Sequence, residues 1–79
     1  MATLRFFAGA AEAAQTDTAT LNASTIGELR AELGERYGRD FMRVLGLCSL
    51  LVNGARASDD TFTLAPSDTV DVLPPFAGG

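Results

Sequence analysis

Residues 25–38 read TIGELRAELGERYG and contain the clearest helix signal in the chain. Thr25 and Glu28 have the spacing of a capping box, in which the threonine hydroxyl accepts a hydrogen bond from the Glu28 amide and the Glu28 carboxylate returns one. Gly38 suits the C-terminal end of the helix, where a residue in the left-handed conformation is common. Four apolar side chains recur on one helical face: Ile26, Leu29, Leu33 and Tyr37. The stretch therefore predicts one amphipathic helix, around which the rest of the core is built.

Strand patterns lie on both sides of this helix. Before it, the side chains of residues 3–8 (TLRFFA) alternate between the two faces of a strand. Residues 17–23 (DTATLNA) are threonine-rich and show the same alternation. After it, residues 48–57 (CSLLVNGARA) combine an apolar strand with Asn53-Gly54, the strongest short hairpin signal, and a short return arm. These segments predict a pair of strands before the helix and a hairpin after it.

A last strand is predicted at residues 69–76 (TVDVLPPF), after a turn at residues 65–68 (APSD). Residues 9–15 (GAAEAAQ) suit either a short helical turn or a loop, residues 40–45 (DFMRVL) suit a short turn, and residues 61–64 (TFTL) are ambiguous. The order of elements predicts an α+β domain in which a mixed sheet of four to five strands packs on one main helix.

Strand alternation divides the first and last strands into two faces. The set expected to face the helix is Leu4, Phe6, Val70 and Val72. Phe7 and Leu73 then point away from the helix. Single exposed apolar side chains need no explanation. If the two strands are neighbours, however, Phe7 and Leu73 form a patch, and apolar patches mark interfaces.

Composition limits the chemistry that the chain can perform. With 79 residues it forms one domain at most, and it contains no histidine and one cysteine. Ser-His and Cys-His nucleophilic sites, an internal disulfide and a cysteine-rich metal site are therefore excluded. Cys48 lies in an apolar stretch, which favours an inert buried thiol. We expect no metal site.

Charge and hydropathy limit the partners. The net charge of −4 disfavours nucleic acids and anionic membranes. No apolar run approaches the roughly 20 residues that span a bilayer, and the start MATLRFFAGA lacks the pattern of a signal peptide. These features favour a cytoplasmic protein. All six basic residues are arginines, so the chain offers no lysine amine for self-linked polymers.

The sequence ends in PPFAGG at residues 74–79. Pro74 and Pro75 fix their own φ angles and lack N–H donors, so the tail leaves the sheet after a folded part at residues 1–73. Phe76 can anchor in a pocket of a partner. The remaining residues are thin enough to thread a narrow channel: Ala77, Gly78 and Gly79. The terminal carboxylate is ionised at neutral pH and is a poor electrophile until another protein activates it. The tail therefore has the properties of a segment that is presented to other enzymes as their substrate.

Nearly the whole chain resembles the ubiquitin-like sulfur carriers of the β-grasp fold, and in particular the small subunits of molybdopterin synthase. The resemblance rests on LRFFA near the start, STIGELRAELGERYG, LVNG at the hairpin and DTVDVLPPFAGG at the end. The Gly-Gly end is shared by all these carriers. The part of the tail before it resembles the molybdopterin branch, because it consists of two prolines, an apolar residue and a small residue. Residues 8–17 and the Ser67-Asp68 turn depart from the family pattern.

The resemblance implies a reaction cycle. An ATP-dependent activating enzyme adenylates the carboxylate of Gly79, and a sulfur donor protein converts it to a thiocarboxylate. The tail then enters the large synthase subunit and gives its sulfur to a pyranopterin precursor of the molybdenum cofactor. Gly79 is the reacting residue, and the chain binds no cofactor itself, since the activating enzyme uses the ATP. Residues implied to contact partners are Phe7, Leu73, Pro74, Pro75, Phe76, Ala77 and Gly78.

Three other functions stay open at this stage. The chain could carry sulfur for another product, such as cysteine or thiamine. It could be a protein modifier that is joined through Gly79 to lysines of its targets. It could also be a plain binding module whose Gly-Gly end is incidental. Deletion of Gly78 and Gly79 separates the last function from the others, because only a plain module would keep its activity.

Overall fold

The structure, a computed structural model, describes residues 1–57 and 59–75, which contain five strands and three helices. In chain order these elements are β1 (Ala2–Phe6), α1 (Ala8–Ala14), β2 (Thr18–Leu21), α2 (Ile26–Tyr37), α3 (Arg39–Leu45), β3 (Ser49–Val52), β4 (Ala55–Arg56) and β5 (Thr69–Leu73). The predicted α+β class, with a mixed sheet and one main helix, is confirmed. The main helix is α2, with 12 residues.

The first and last strands lie side by side in the sheet, whose order is β2-β1-β5-β3-β4. β1 and β5 pair in parallel, with Leu4 opposite Val70 and Phe6 opposite Val72. The other neighbouring strands pair antiparallel. The predicted patch of Phe7 and Leu73 required the first and last strands to be neighbours. The register shows that they are.

The core lies between one face of the sheet and the helices. The four side chains predicted to face the helix are all buried, as are the α2 side chains opposite them: Leu4, Phe6, Val70, Val72, Ile26, Leu29 and Leu33. Tyr37 is only partly buried, and its ring contacts the Phe6 ring edge-on at 5.9 Å between centroids. The predicted apolar face of α2 is therefore the face that packs on the sheet.

The predicted cap of α2 is present, with one difference in its second hydrogen bond. The Thr25 hydroxyl accepts from the Glu28 amide at 3.1 Å, as expected. The Glu28 carboxylate accepts instead from the Ser24 amide, at 2.9 Å, one residue before the capping threonine. Gly38 has a positive φ of 88°, but its ψ of −170° lies outside the left-handed helical region. Gly38 connects α2 directly to α3, because it caps the end of one and the start of the other.

Helical structure is more extensive than the sequence predicted. Residues 9–14 belong to helix α1, with Gln15 as its left-handed C-cap, and residues 40–45 form most of α3 rather than a turn. Packing accounts for both, since α1 buries Ala10 and Ala14 in the core and α3 buries Phe41 and Leu45. The Phe41 ring meets the Phe6 ring edge-on at 5.6 Å. Tertiary contacts, which local sequence does not reveal, stabilise these short helices.

The strands are shorter than their sequence patterns suggested. β1 ends at Phe6 because Phe7 caps α1, and β2 covers only Thr18–Leu21 of the predicted 17–23. β5 ends at Leu73, before the proline pair, because proline has no N–H to donate to a neighbouring strand. Within the ambiguous residues 61–64, Thr63 forms an isolated bridge with Thr25.

The predicted Asn53-Gly54 hairpin joins β3 to β4. Both residues have positive φ, 51° and 87°, as a tight hairpin turn requires. The Asn53 side chain also links this hairpin to the turn before β5. Its amide nitrogen donates to the Asp68 carboxylate at 2.8 Å, and its oxygen accepts from the Thr69 amide at 3.0 Å. Asn53 therefore fixes the start of the last strand.

Two glycines at the second position of a helix provide a matched test of packing. A Cβ at Gly27 of α2 would lie 3.2 Å from the Asp60 carbonyl oxygen, which accepts from the Gly27 amide at 2.9 Å. A Cβ at Gly9 of α1 would meet nothing within 4 Å. We predict that Gly9→Ala raises the free energy of unfolding by about 0.4–1 kcal/mol, whereas Gly27→Ala gives no gain or a loss. Urea denaturation of the two variants checks this, and an equal gain at both positions would contradict it.

Hydrogen bonds to the Asp68 carboxylate predict acid-sensitive stability. The Ala65 amide donates to Asp68 at 2.8 Å, and this bond, followed by the one from Asn53, lowers the pKa of Asp68. A lowered pKa stabilises the fold above the unfolded-state pKa, and this contribution is lost as pH falls through the folded-state value. We expect Asp68→Asn to lower the urea midpoint at neutral pH, with the difference from wild type shrinking in acid. A difference that stays constant with pH would show that the charge is not the cause.

Candidate functional site

Phe7 and Leu73 are neighbours on the open face of the sheet, opposite the helices. They lie one step beyond the last registered pair, Phe6 and Val72, and the Phe7 amide donates to the Val72 carbonyl at 3.2 Å. The Phe7 side chain is 37% exposed, and Leu73 is partly buried. The placement of both residues away from the helix, and next to each other, is confirmed.

A third apolar residue, whose place beside this pair the sequence pattern does not reveal, extends it. Leu51 of β3 lies opposite Asp71 of β5, which is two residues before Leu73, and is partly buried on the same face. Side chains at such diagonal positions are within reach of each other. We call Phe7, Leu51 and Leu73 the open-face patch. The antiparallel register of β3 and β5, which sequence spacing alone does not fix, brings Leu51 into it.

An ion pair lies in the middle of this face. Arg5 and Asp71 are directly opposite in the parallel pair of β1 and β5. The Arg5 Nε donates to Asp71 Oδ1 at 2.6 Å, and Nη2 donates to Oδ2 at 2.8 Å. These hydrogen bonds, and then the carboxylate charge, raise the pKa of Arg5. Strand alternation is sufficient to place Arg5 and Asp71 on the open face, but only the strand register brings them opposite each other.

The same guanidinium also contacts Phe7. The Cζ atom of Arg5 lies over the Phe7 ring, 5.8 Å from its centroid, which is within cation–π range. Asp71, Arg5 and Phe7 therefore form a continuous chain of contacts from β5 to the residue that follows β1. We call these three residues the clasp.

A cleft of about 400 Å³ adjoins Phe7 on the side away from Leu73's strand. Its walls come from the end of β1, the start of α1 and the start of β2: Arg5, Phe6, Phe7, Ala8, Ala11, Asp17 and Thr18. Phe7 therefore belongs to both the cleft and the open-face patch.

The root of the C-terminal tail lies beside the patch. β5 runs parallel to β1, so Leu73 ends its strand at the same edge of the sheet as Phe7. Pro74 follows and is partly buried, and Pro75 is exposed in a turn. The remaining predicted site residues lie outside the described part of the chain: Phe76, Ala77, Gly78 and Gly79. The structure therefore brings together Phe7, Leu73 and Pro74, and the predicted roles of all the tail residues stay predictions.

Other reactive groups lie away from this face. Cys48 is partly buried, its Sγ donates to the Val44 carbonyl at 3.2 Å, and burial raises its pKa, which disfavours the reactive thiolate. Within residues 1–57 and 59–75, no group of three or more metal-ligating side chains could hold a metal ion. In the same part of the chain, no helix is long and apolar enough to cross a membrane.

Comparison with known proteins identifies a family match over almost the entire chain. A model of the ThiS family matches residues 4–79. No curated protein sequence matches the chain.

Solved structures share the fold over nearly their full length. The complex of subunits 1 and 2 of the molybdopterin-converting factor from Helicobacter pylori contains a chain with 26% identity and a TM-score of 0.74, with 99% of this chain and 97% of that one covered. Two small archaeal modifier proteins are similar in fold. The one from Haloferax volcanii has 24% identity, a TM-score of 0.80 and coverages of 99% and 98%. The one from Methanosarcina acetivorans has 23% identity, a TM-score of 0.83 and coverages of 99% and 95%. These likenesses confirm the β-grasp fold.

Proposed function

The chain belongs to the ThiS family of ubiquitin-like sulfur carriers, and we propose that it is the sulfur-carrier subunit of a molybdopterin synthase. The observation that carries the proposal is the position of the open-face patch at the root of the tail. Phe7 and Leu73 lie where β5 passes into Pro74, so a protein that docks on the patch also receives the tail. We assign residues 1–73 to docking and residues 74–79 to sulfur delivery.

In this function the reacting group is the carboxylate of Gly79. It is ionised at neutral pH and resists nucleophilic attack. Transfer of AMP from ATP to this carboxylate releases pyrophosphate and gives an acyl adenylate, whose leaving group is AMP. A sulfur donor protein then delivers sulfur at the oxidation level of sulfide (HS⁻), which attacks the acyl carbon and displaces AMP. Loss of the S–H proton leaves a thiocarboxylate. The ATP is a substrate of the activating enzyme, and the carrier holds no cofactor.

The thiocarboxylate sulfur then attacks a carbon of a pyranopterin precursor inside the large synthase subunit and forms a thioester. Hydrolysis of its acyl C–S bond leaves the sulfur on the pterin and restores the Gly79 carboxylate. A thiocarboxylate is a good nucleophile at neutral pH, and a dry pocket protects the reaction from competing hydrolysis. Ala77, Gly78 and Gly79 have the small cross-section that such a pocket requires. The carrier is the donor in this step, and it acts only together with the large subunit.

The likeness to the Helicobacter pylori complex supports the choice of partner, because that structure contains both subunits of a molybdopterin-converting factor. The tail residues Pro74 to Gly79 support the same pathway through their resemblance to the molybdopterin branch. The likeness to archaeal modifier proteins rests on identities below 25% and concerns the fold alone. A ladder of conjugates that contain the tail would favour the modifier function instead.

Conversion of the Gly79 carboxylate tests the proposed chemistry. After incubation with the activating enzyme, ATP and a sulfur donor, we expect mass spectrometry of the intact chain to show one terminal oxygen replaced by sulfur. The product should restore dithiolene synthesis when it is mixed with the large subunit. A variant with one residue added after Gly79 should fold normally but give no activity, because its carboxyl group lies one residue too far along. A chain with one residue added before Met1 is the matched control. Activity of the C-terminally extended variant, without trimming, would contradict the tail mechanism.

Two phenylalanines of similar exposure test the docking surface. Phe7 is 37% exposed in the open-face patch, and Phe62 is 40% exposed beside the start of α2, where its carbonyl accepts from the Ile26 amide. We predict that Phe7→Ala weakens binding to the large subunit at least about tenfold, as expected for an aromatic anchor. Phe62→Ala should change the dissociation constant less than about twofold. Calorimetric titration measures both, and equal effects would place the interface elsewhere.

A further inference from the structure

Arg5 binds Asp71 and Phe7 with different parts of one side chain. The two donors that contact Asp71, Nε and Nη2, lie on the edge of the guanidinium plane. The Cζ atom lies over the Phe7 ring, 5.8 Å from its centroid, so one guanidinium group contacts both residues. Arginine can satisfy both partners at once because its charged group is planar and forked, whereas lysine carries a point charge without such a plane.

The Phe7 backbone is fixed on both sides, but its side chain projects from the surface. Its amide donates to the Val72 carbonyl at 3.2 Å, and its carbonyl accepts from the Ala10 amide at 3.0 Å. With the backbone held, only rotation about the side-chain bonds can move the exposed ring. An exposed aromatic side chain samples several rotamers unless a neighbour selects one.

We propose that Arg5, held in place by Asp71, is a positioning residue that fixes the Phe7 ring in a single orientation ready for docking. Asp71 is well placed to anchor the clasp, because its side chain is only 16% exposed between the neighbouring strands, whereas the Arg5 side chain is 53% exposed. The consequence for docking rests on the proposed function. A ring that is already ordered loses less conformational entropy when a partner covers it.

The first arm of the test uses the free chain alone and does not depend on any partner. NMR couplings between the α and β protons report the rotamers of Phe7. The wild type should show one dominant rotamer, and Arg5→Met and Asp71→Asn should show averaged couplings. Arg5→Lys should resemble Arg5→Met, because it keeps the charge but loses the fork and the plane. Unchanged couplings in Arg5→Met would overturn the proposal.

A matched control exists on the other side of the molecule. Arg36 also forms an ion pair, with Glu32 at 3.0 Å, and donates to the Thr20 carbonyl at 3.3 Å. Arg36→Met therefore removes an arginine and its ion pair without touching the clasp. Phe7 should keep its single rotamer in this variant. Averaging of Phe7 in Arg36→Met as well as in Arg5→Met would overturn the proposal, because the effect would not be specific to the clasp.

The second arm measures binding to the large synthase subunit by calorimetry in a double-mutant cycle. Arg5→Met should raise the dissociation constant about threefold to tenfold when Phe7 is present. In a Phe7→Ala background the same change should have less than about a twofold effect, because there is no ring left to position. An equal loss in both backgrounds would mean that Arg5 contacts the partner directly, and would overturn the proposal.

The two arms separate failure of this inference from failure of the proposed function. If the wild-type chain does not bind the large subunit, the proposed function and the docking consequence both fall. The rotamers of Phe7 in the free chain still decide whether Arg5 positions the ring. If the wild type binds and the couplings do not respond to Arg5→Met, only the inference is wrong.

Discussion

The parallel pairing of β1 with β5 is the constraint on which the rest of the structure depends. Parallel neighbours cannot be joined by a tight turn, so a long crossover must connect them, and here it includes the helices that cover one face of the sheet. β5 also pairs with β3 on its other side. The last strand therefore lies inside the sheet with hydrogen bonds on both sides. The chain leaves the domain from a fixed point beside Phe7 rather than from a loose edge.

The same pairing links the core to the exposed surface. Successive side chains of a strand point to opposite faces, so a slip of one residue would exchange all inward and outward positions. Phe6 is held inward by edge-on contacts with Tyr37 and Phe41, which α2 and α3 bring to the sheet. Once Phe6 is buried, its neighbour Phe7 must project from the other face. The aromatic core therefore determines where the open-face patch lies, although the two share no residue.

Sequence patterns predicted those features that depend on short spacings. The apolar face of α2, the Thr25 cap and the Asn53-Gly54 turn all follow from residues within a few positions of each other, and each is present. The sequence patterns did not predict, or predicted only in part, the features that depend on strand register or on packing. The predicted turn at residues 40–45 is helix α3, whose stability comes from burying Phe41 and Leu45. The Arg5–Asp71 pair joins residues 66 positions apart, and no local pattern reports such a contact.

A reacting group at the end of a chain creates a problem of selectivity. In the proposed cycle the sulfur is attached to Gly79, which has no side chain by which an enzyme could recognise it. A thin tail that can enter one narrow pocket can enter others, so selection of the partner must come from the folded domain at its root. The clasp contributes to this selection without adding net charge to the patch, since Arg5 and Asp71 neutralise each other. It gives the surface a fixed aromatic ring, and shape rather than charge then distinguishes one partner from another.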